Sequence, residues 1–211
     1  MTTSRDPSSR LRAFCVEVKL LIPSSARVNR GSTTTGELLE AARSADFTDV
    51  LLLTETRGEP DGLVVSHLPH GPTCYFSLTG AVLRHDLDKR GTQSEAVPHL
   101  IFHNFSTPLG ERVKCILQHL FPLPKPDSKR VLTFGNDSDF ISFRHHTYST
   151  PPGAGAGGNA LRPTDVALSE VGPRFELRPY RITLGTLDMP DAETEWVARP
   201  FMNTAKKRQA L

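Results

Sequence analysis

Val65-Ser-His-Leu-Pro-His-Gly-Pro-Thr-Cys-Tyr-Phe-Ser-Leu78 and Val166-Ala-Leu-Ser-Glu-Val-Gly-Pro-Arg-Phe-Glu-Leu177 read as one pattern used twice. Each has a short strand-like run, then a Gly-Pro pair (Gly71-Pro72 and Gly172-Pro173), then an alternating run. The pair is a turn signal: glycine accepts backbone angles other residues avoid, and proline has no N–H for a ladder. A second correspondence runs the same way. Ser4-Arg-Asp-Pro-Ser-Ser-Arg10, leading into Leu11–Pro23, is echoed by Ser106-Thr-Pro-Leu-Gly-Glu-Arg112, leading into Val113–Pro122. Both read as capped helices closed by proline. The chain is therefore expected to be an α/β protein of two pseudo-repeated halves, each a sheet packed by helices. One domain over residues 1–211 divides into an N-terminal half, 1–97, and a C-terminal half, 98–211. Duplicated halves of this kind build a binding cleft more often than a catalytic constellation.

Working outward, Asp6-Pro7 marks the start of the first helix. Leu11, Phe14, Cys15, Val18 and Leu21 recur at helical spacing. A second helix is expected over Glu37–Ala45, and strands over Asp49–Thr56 and Gly62–Leu68, joined by the turn Arg57–Gly62. The strand after Gly71-Pro72 alternates through Cys74, Phe76 and Leu78, and a polar connector over Arg84–Ala96 leads to the second half. That half reads as a strand at His99–Asn104, a helix at Pro108–Phe121, and strands at Arg130–Phe134 and Asp139–Ser149 around the turn Gly135–Ser138. Further strands are expected at Asp165–Val171, Arg174–Gly185 and Glu195–Phe201. Cys15 and Cys115 are expected at matching buried helix positions. The Gly/Ala-rich stretch in 150–163 reads as a flexible loop, expanded where the first half has its Arg57–Gly62 turn.

The 211 residues carry 25 basic and 23 acidic side chains, net +2, so the chain is not polybasic as a whole. Any nucleic-acid surface must come from local segregation of charge. The three cysteines show no CxxC spacing and read as a reduced, intracellular pattern. The N-terminus is polar, with no secretory pattern, and the run Val50–Leu53 is far too short to span a bilayer, so no membrane partner is expected.

Catalytic and cofactor signals are weak. Gly153–Gly158 lacks the flanking strand and helix of a dinucleotide loop, and there is neither GxxxxGK[ST] nor GxSxG. His67, His70 and Cys74, the pair His99 and His103, and His145-His146 do not add up to a converging ligand set. No metal and no cofactor is expected, and a His-based metallohydrolase is the remaining enzymatic alternative. The nucleic-acid reading has more residues behind it. Arg5, Arg10 and Arg12 lie on or beside the first helix, and Arg27 and Arg30 follow it. The N-terminal N–H groups of that helix also favour phosphate. Phe143-Arg-His-His-Thr-Tyr148 puts Arg144, His146 and Tyr148 on one face of a strand, beside His145, a composition that can stack bases and touch backbone. Arg174 and Arg178 share an amphoteric face with Glu176, and Lys206, Lys207 and Arg208 form a basic tail.

Thr2–Arg10, Gly62–Thr73, Arg84–Leu87, Ser94–Ile101, Ile141–His146, Glu170–Leu177 and Asn203–Arg208 together resemble, in order and over nearly the whole chain, the Brix-domain family of ribosome-assembly factors. The resemblance is strongest to the branch that works with the U-three small nucleolar RNA. It implies two halves that each resemble the anticodon-binding domain of class II aminoacyl-tRNA synthetases. It further implies no enzymatic activity, and a role in the small-subunit processome: assisting the pairing of that small nucleolar RNA with precursor rRNA. The partners it implies are the two RNAs, an M-phase phosphoprotein and a small ribosomal-protein-like subunit of one trimer, and other processome proteins. The implied location is the nucleus and nucleolus. The segment Gly172-Pro-Arg174 belongs to a family motif likened to an RNA-binding part of bacterial sigma factors. The family normally carries a long charged helical extension ahead of the point where this sequence begins. A Brix-type factor of large-subunit assembly is the alternative within the family.

Overall fold

A computed structural model describes residues 1–150 and 166–199. In chain order the elements are β1 (Thr2–Thr3), α1 (Ser9–Leu21), α2 (Thr35–Ser44), β2 (Asp49–Thr56), β3 (Glu59–His67) and β4 (Thr73–Val82). After a single 3-10 turn at Arg84–Asp86 follow β5 (His99–His103), α3 (Pro108–Gln118), β6 (Arg130–Asp137), β7 (Phe140–Ser149), β8 (Ala167–Glu170), β9 (Arg174–Thr183) and β10 (Thr194–Val197). The strands form one sheet of order β1-β2-β3-β4-β9-β7-β6-β5, with β8 on β7 and β10 on β9.

The repeat is visible in the topology. From one edge inward run β1, β2, β3 and β4; from the other run β5, β6, β7 and β9. Each outermost pair, β1–β2 and β5–β6, is parallel, and each is joined through a helix as a parallel pair requires. All other pairs are antiparallel, and the innermost strands β4 and β9 pair with each other. Gly71-Pro72 and Gly172-Pro173 sit immediately before these two strands. Both bonds are cis, and both glycines have positive φ, 101° and 74°. The halves differ in what they add: α2 has no helical counterpart between α3 and β6, whereas β8 and β10 belong to the second half alone.

One core serves both halves. Leu11, Phe14, Cys15 and Val18 of α1 and Leu109, Val113 and Ile116 of α3 pack on the inward side chains of the sheet. The strand alternation supplies that face: Cys74, Phe76 and Leu78 from β4, Ile141 and Phe143 from β7, Phe175 and Leu177 from β9. Aromatic rings cross the second half from strand to strand. Phe102 stacks on Phe134 at 4.8 Å, Phe143 on Phe175 at 4.5 Å, and Phe14 meets Phe175 edge-on at 5.6 Å. Such pairs are worth about 0.5–1.5 kcal/mol each beyond their burial.

Local chemistry moves several expected boundaries. The cap of α1 is Ser8, not Asp6: Ser8 Oγ accepts from Leu11 N at 3.1 Å. The second helix starts earlier than Glu37, because Thr34 and Glu37 form a reciprocal capping box. The β2–β3 turn is only Arg57-Gly58, both with positive φ, so Pro60 and Asp61 fall within β3. The β6–β7 turn is likewise Ser138-Asp139 rather than Gly135–Ser138. Helix α3 stops at Gln118, short of Phe121. Cys115 is exposed, unlike Cys15. It lies eight residues from its cap and Cys15 seven, and one residue turns a helix by about 100°. The Gly/Ala-rich stretch follows β7 and so corresponds to the β3–β4 connection, not to the Arg57-Gly58 turn. Residues 151–165 and the Lys206–Arg208 tail lie outside the described residues.

Candidate nucleic-acid interface

The N-terminal arginines converge. Strand β1 pairs with β2 at the sheet edge, and Val28 N donates to Met1 O at 2.9 Å, which folds the segment after α1 back beside β1. Arg5, Arg12, Arg27 and Arg30 thereby line one recess of about 350 Å³, together with Thr3 and Asn29. Asp6 lines the same recess, without an ion pair to any of the four arginines. None of the four guanidinium groups is in an ion pair among the described residues. Arg12 donates to Pro7 O at 2.9 Å, and Arg30 to Thr35 Oγ1 at 2.9 Å. Arg5, Arg12 and Arg27 are exposed. Four cations on one concave surface, none in an ion pair, can hold phosphate oxygens, which guanidinium forks bind in a bidentate manner.

Arg10 is not in this set. It points the other way, with Nε 2.9 Å from Glu59 and a donor on Ala81 O at 3.2 Å. The N-terminus of α1 is also occupied: Glu55 accepts from Ser8 N at 2.6 Å and from the Ser8 hydroxyl. An acid of β2 thus takes the place that a phosphate was expected to fill.

On β7 the expected face divides. Arg144 is held by Glu176 at 2.9 Å across the β7–β9 pair. His146 and Tyr148 line a shallow, largely apolar groove of about 300 Å³ with Ile101, Val131 and Leu168. The Tyr148 hydroxyl donates to Ser128 O at 3.1 Å. Arg174 lies 3.4 Å from Glu170, and Arg178 is exposed and stacks over Phe140 at 4.7 Å.

His145 faces inward and is fully buried, which removes it from the surface set. Its partner is Arg130, only 1% exposed, a strand residue for which no role was expected. The signal was present: Arg130, Leu132, Phe134 and Asn136 alternate on the inward side of β6. Arg130 Nε donates to His145 Nε2 at 3.0 Å. Guanidinium can only donate, so Nε2 accepts, and Nδ1 carries the proton it gives to Gly172 O at 2.7 Å. Arg130 also donates to Leu20 O (2.8 Å) and Leu21 O (3.1 Å) at the end of α1, and to Ala96 O at 3.2 Å. A buried cation thus sits at a helix C-terminus, where the helix dipole favours it. Burial lowers the Arg130 pKa to about 10, so the group is charged at neutral pH. Burial, opposed by the bond to Gly172 O, lowers that of His145 to about 4. This cluster holds α1, β6, β7 and the Gly172-Pro173 turn together.

Among the described residues, no group of three or more His, Cys, Asp or Glu is placed to hold a metal, and no helix is long and apolar enough to cross a membrane. Comparison with known proteins gives a consistent relationship. The Brix domain model matches residues 4–181. Over 212 residues the chain is 55% identical to the U3 small nucleolar ribonucleoprotein protein imp4 of Schizosaccharomyces pombe, covering all of this chain and 69% of that one. It is 52% identical, over 215 residues and with the same coverage, to the human protein called U3 small nucleolar ribonucleoprotein protein IMP4. Two crystal structures share the fold. A probable ribosomal biogenesis protein of Aeropyrum pernix aligns with TM-score 0.58 at 20% identity, covering 84% of this chain and 93% of that one. The archaeal Imp4-like protein Mil aligns with TM-score 0.51 at 18% identity, covering 87% and 97%. With a family model spanning most of its length and full-length similarity above half identity, the chain belongs to the Brix-domain family.

Proposed function

We propose that this protein is an RNA-binding factor of small-subunit ribosome assembly, working in the small-subunit processome with the U3 small nucleolar RNA. Its relatives are named as U3 small nucleolar ribonucleoprotein proteins. The observation that carries the reading in this chain is the recess where Arg5, Arg12, Arg27 and Arg30 converge free of carboxylate partners. A concave cationic surface of that kind holds RNA backbone. Holding two strands close lowers the entropy cost of their pairing, so the protein assists base pairing between the small nucleolar RNA and precursor rRNA without catalysing a covalent step. On this reading the partners are those two RNAs, together with an M-phase phosphoprotein and a small ribosomal-protein-like subunit, and the place of work is the nucleolus. Residues 1–211 act as one domain whose halves, 1–97 and 98–211, are joined by the connector ahead of β5 and pair through β4 and β9. Of the other candidates, His146, Tyr148 and Arg178 are open to secondary contacts, while Arg10, Arg144 and Arg174 serve chiefly their acidic partners; the Lys206–Arg208 tail lies outside the described residues.

The test is ultraviolet crosslinking of the protein in cells, with sequencing of the attached RNA and mass spectrometry of the attached peptide. The expected result is U3 and precursor rRNA sequences joined to peptides containing Arg5–Arg12 or Arg27–Arg30. Crosslinks confined to large-subunit precursor sequences would move the protein to the other arm of ribosome assembly.

A further inference from the structure

We infer that the open face of the two central strands is a stacking platform for unpaired RNA bases, an inference that rests on the RNA-binding reading above. Helices α1 and α3 cover the opposite face, where Cys74, Phe76, Leu78, Phe175 and Leu177 are buried. The outward alternation on β4 brings up Tyr75 and Ser77, opposite Arg181 and Arg178 of β9. The register slips between Tyr75 and Phe76, so β9 carries one extra residue there, and that residue is Tyr180. The bulge turns Tyr180 outward beside Arg181.

What results is a compact set of aromatic rings and cations. Tyr75 and Tyr180 lie 5.9 Å apart, inclined at 47°, and the Arg181 guanidinium stands 5.5 Å from the Tyr75 ring. Arg178 covers Phe140 at 4.7 Å. Tyr180 is 44% exposed and Phe140 48%. Neither arginine is in an ion pair among the described residues. The nearby acids are engaged: Glu176 is bound by Arg144 and Ser142, and Asp61 accepts from Thr54 and Thr56. The two ring-cation groups are two positions apart on β9, about 7 Å, so one short stretch of single strand covers both.

An exposed Tyr180 and a half-buried Tyr75, beside arginines that are in no ion pair, match the chemistry of single-stranded RNA. Every base offers a face to an aromatic ring whatever its identity, and each arginine supplies both stacking and charge for the phosphate. A protein partner of ordinary composition would meet two uncompensated cations here. The platform also differs in kind from the arginine recess, which offers charge without rings. The structure therefore assigns backbone to the recess and bases to the central strands.

The experiment measures the affinity of the whole chain for a fluorescent 12-nucleotide oligouridine and for an RNA duplex of the same length. The variants are Tyr75→Ala/Tyr180→Ala, Tyr75→Phe/Tyr180→Phe, and the surface change Tyr180→Ala alone. The alanine pair should weaken oligouridine binding about tenfold or more, with duplex binding and salt slope nearly unchanged. The phenylalanine pair should bind like the parent, and Tyr180→Ala should fall between. Photocrosslinked uridine should appear on the Tyr75 or Tyr180 peptide of the unmodified protein, a readout independent of any variant's folding. Equal oligouridine binding by a folded alanine pair, with no uridine on either peptide, would overturn the platform while leaving the recess intact. Loss of a protein partner in place of RNA would reassign the face to protein. A parent chain that binds neither RNA would sink the RNA reading itself, and the platform with it.

Discussion

At the scale of single residues, the group that decides most is Arg130. Its positive charge is buried and answered by three carbonyls and one imidazole rather than by a carboxylate. Removing it strands those acceptors and opens a cavity. Arg130→Ala is therefore expected to cost about 3–5 kcal/mol in denaturant unfolding, against about 1 kcal/mol or less for Arg27→Ala on the surface. Equal midpoints for the two would show that the buried network is idle. His145 gives this network a pH signature. Its folded pKa of about 4 lies below the ordinary 6.5, so between those values the unfolded chain binds the extra proton. Its contribution is complete above pH 6.5 and disappears as pH falls toward 4, a loss of about 3 kcal/mol. Asp188, held down to about 2 chiefly by its hydrogen bond from Arg43, acts in a lower window: its contribution is present above about pH 4 and fades toward pH 2. Thermal unfolding from pH 7 to 4 should show the first loss, and His145→Asn should flatten it. An unchanged slope in that variant would assign the acid sensitivity to other groups.

At the scale of elements, the two Gly-Pro turns set where the central strands begin. Gly71 has φ 101°, and a Cβ there would sit 2.7 Å from Leu184 O and 2.8 Å from Gly185 C. Gly31 also has positive φ, 52°, but faces open space. Gly31→Ala should cost only the backbone penalty, about 1 kcal/mol, and Gly71→Ala at least about 3, because backbone must move as well. Similar melting points for both would mean that the turn before β4 has room to relax. The same elements show what was legible beforehand. The buried stripe of α1, the inward face of β4 and the paired turns follow from periodicity and from the needs of glycine and proline, which are local rules. The turns at Arg57-Gly58 and Ser138-Asp139 fall within or beside the expected ones but are only two residues long, because Arg57 and Ser138, uncommon at positive φ, take turn positions. The exposure of Cys115 turned on a one-residue shift relative to its cap, which the echo between the two helices did not resolve.

For the whole molecule, the pseudo-twofold arrangement puts β4 and β9 at the centre and leaves the parallel pairs at the edges. The candidate interface was only partly legible, for a physical reason. Sequence shows where cations lie, but not which are neutralised by acids from distant strands. Arg10 and Arg144 are answered by Glu59 and Glu176, and finding those partners requires the sheet register. Arg5, Arg12, Arg27 and Arg30 keep their charge unneutralised because the fold of the segment after α1 gathers them where, among the described residues, no acid forms an ion pair with them. In the proposed function this recess binds RNA backbone. That binding is tested most directly by the salt dependence of affinity for single-stranded RNA, comparing the parent chain with Arg5→Ala/Arg12→Ala/Arg27→Ala. Each neutralised phosphate of a single strand contributes about 0.7 to the slope of log affinity against log salt. Loss of three contacts should therefore lower the slope by about 2 and weaken binding most at low salt. A folded triple variant with the parent's affinity and the parent's slope would contradict the claim.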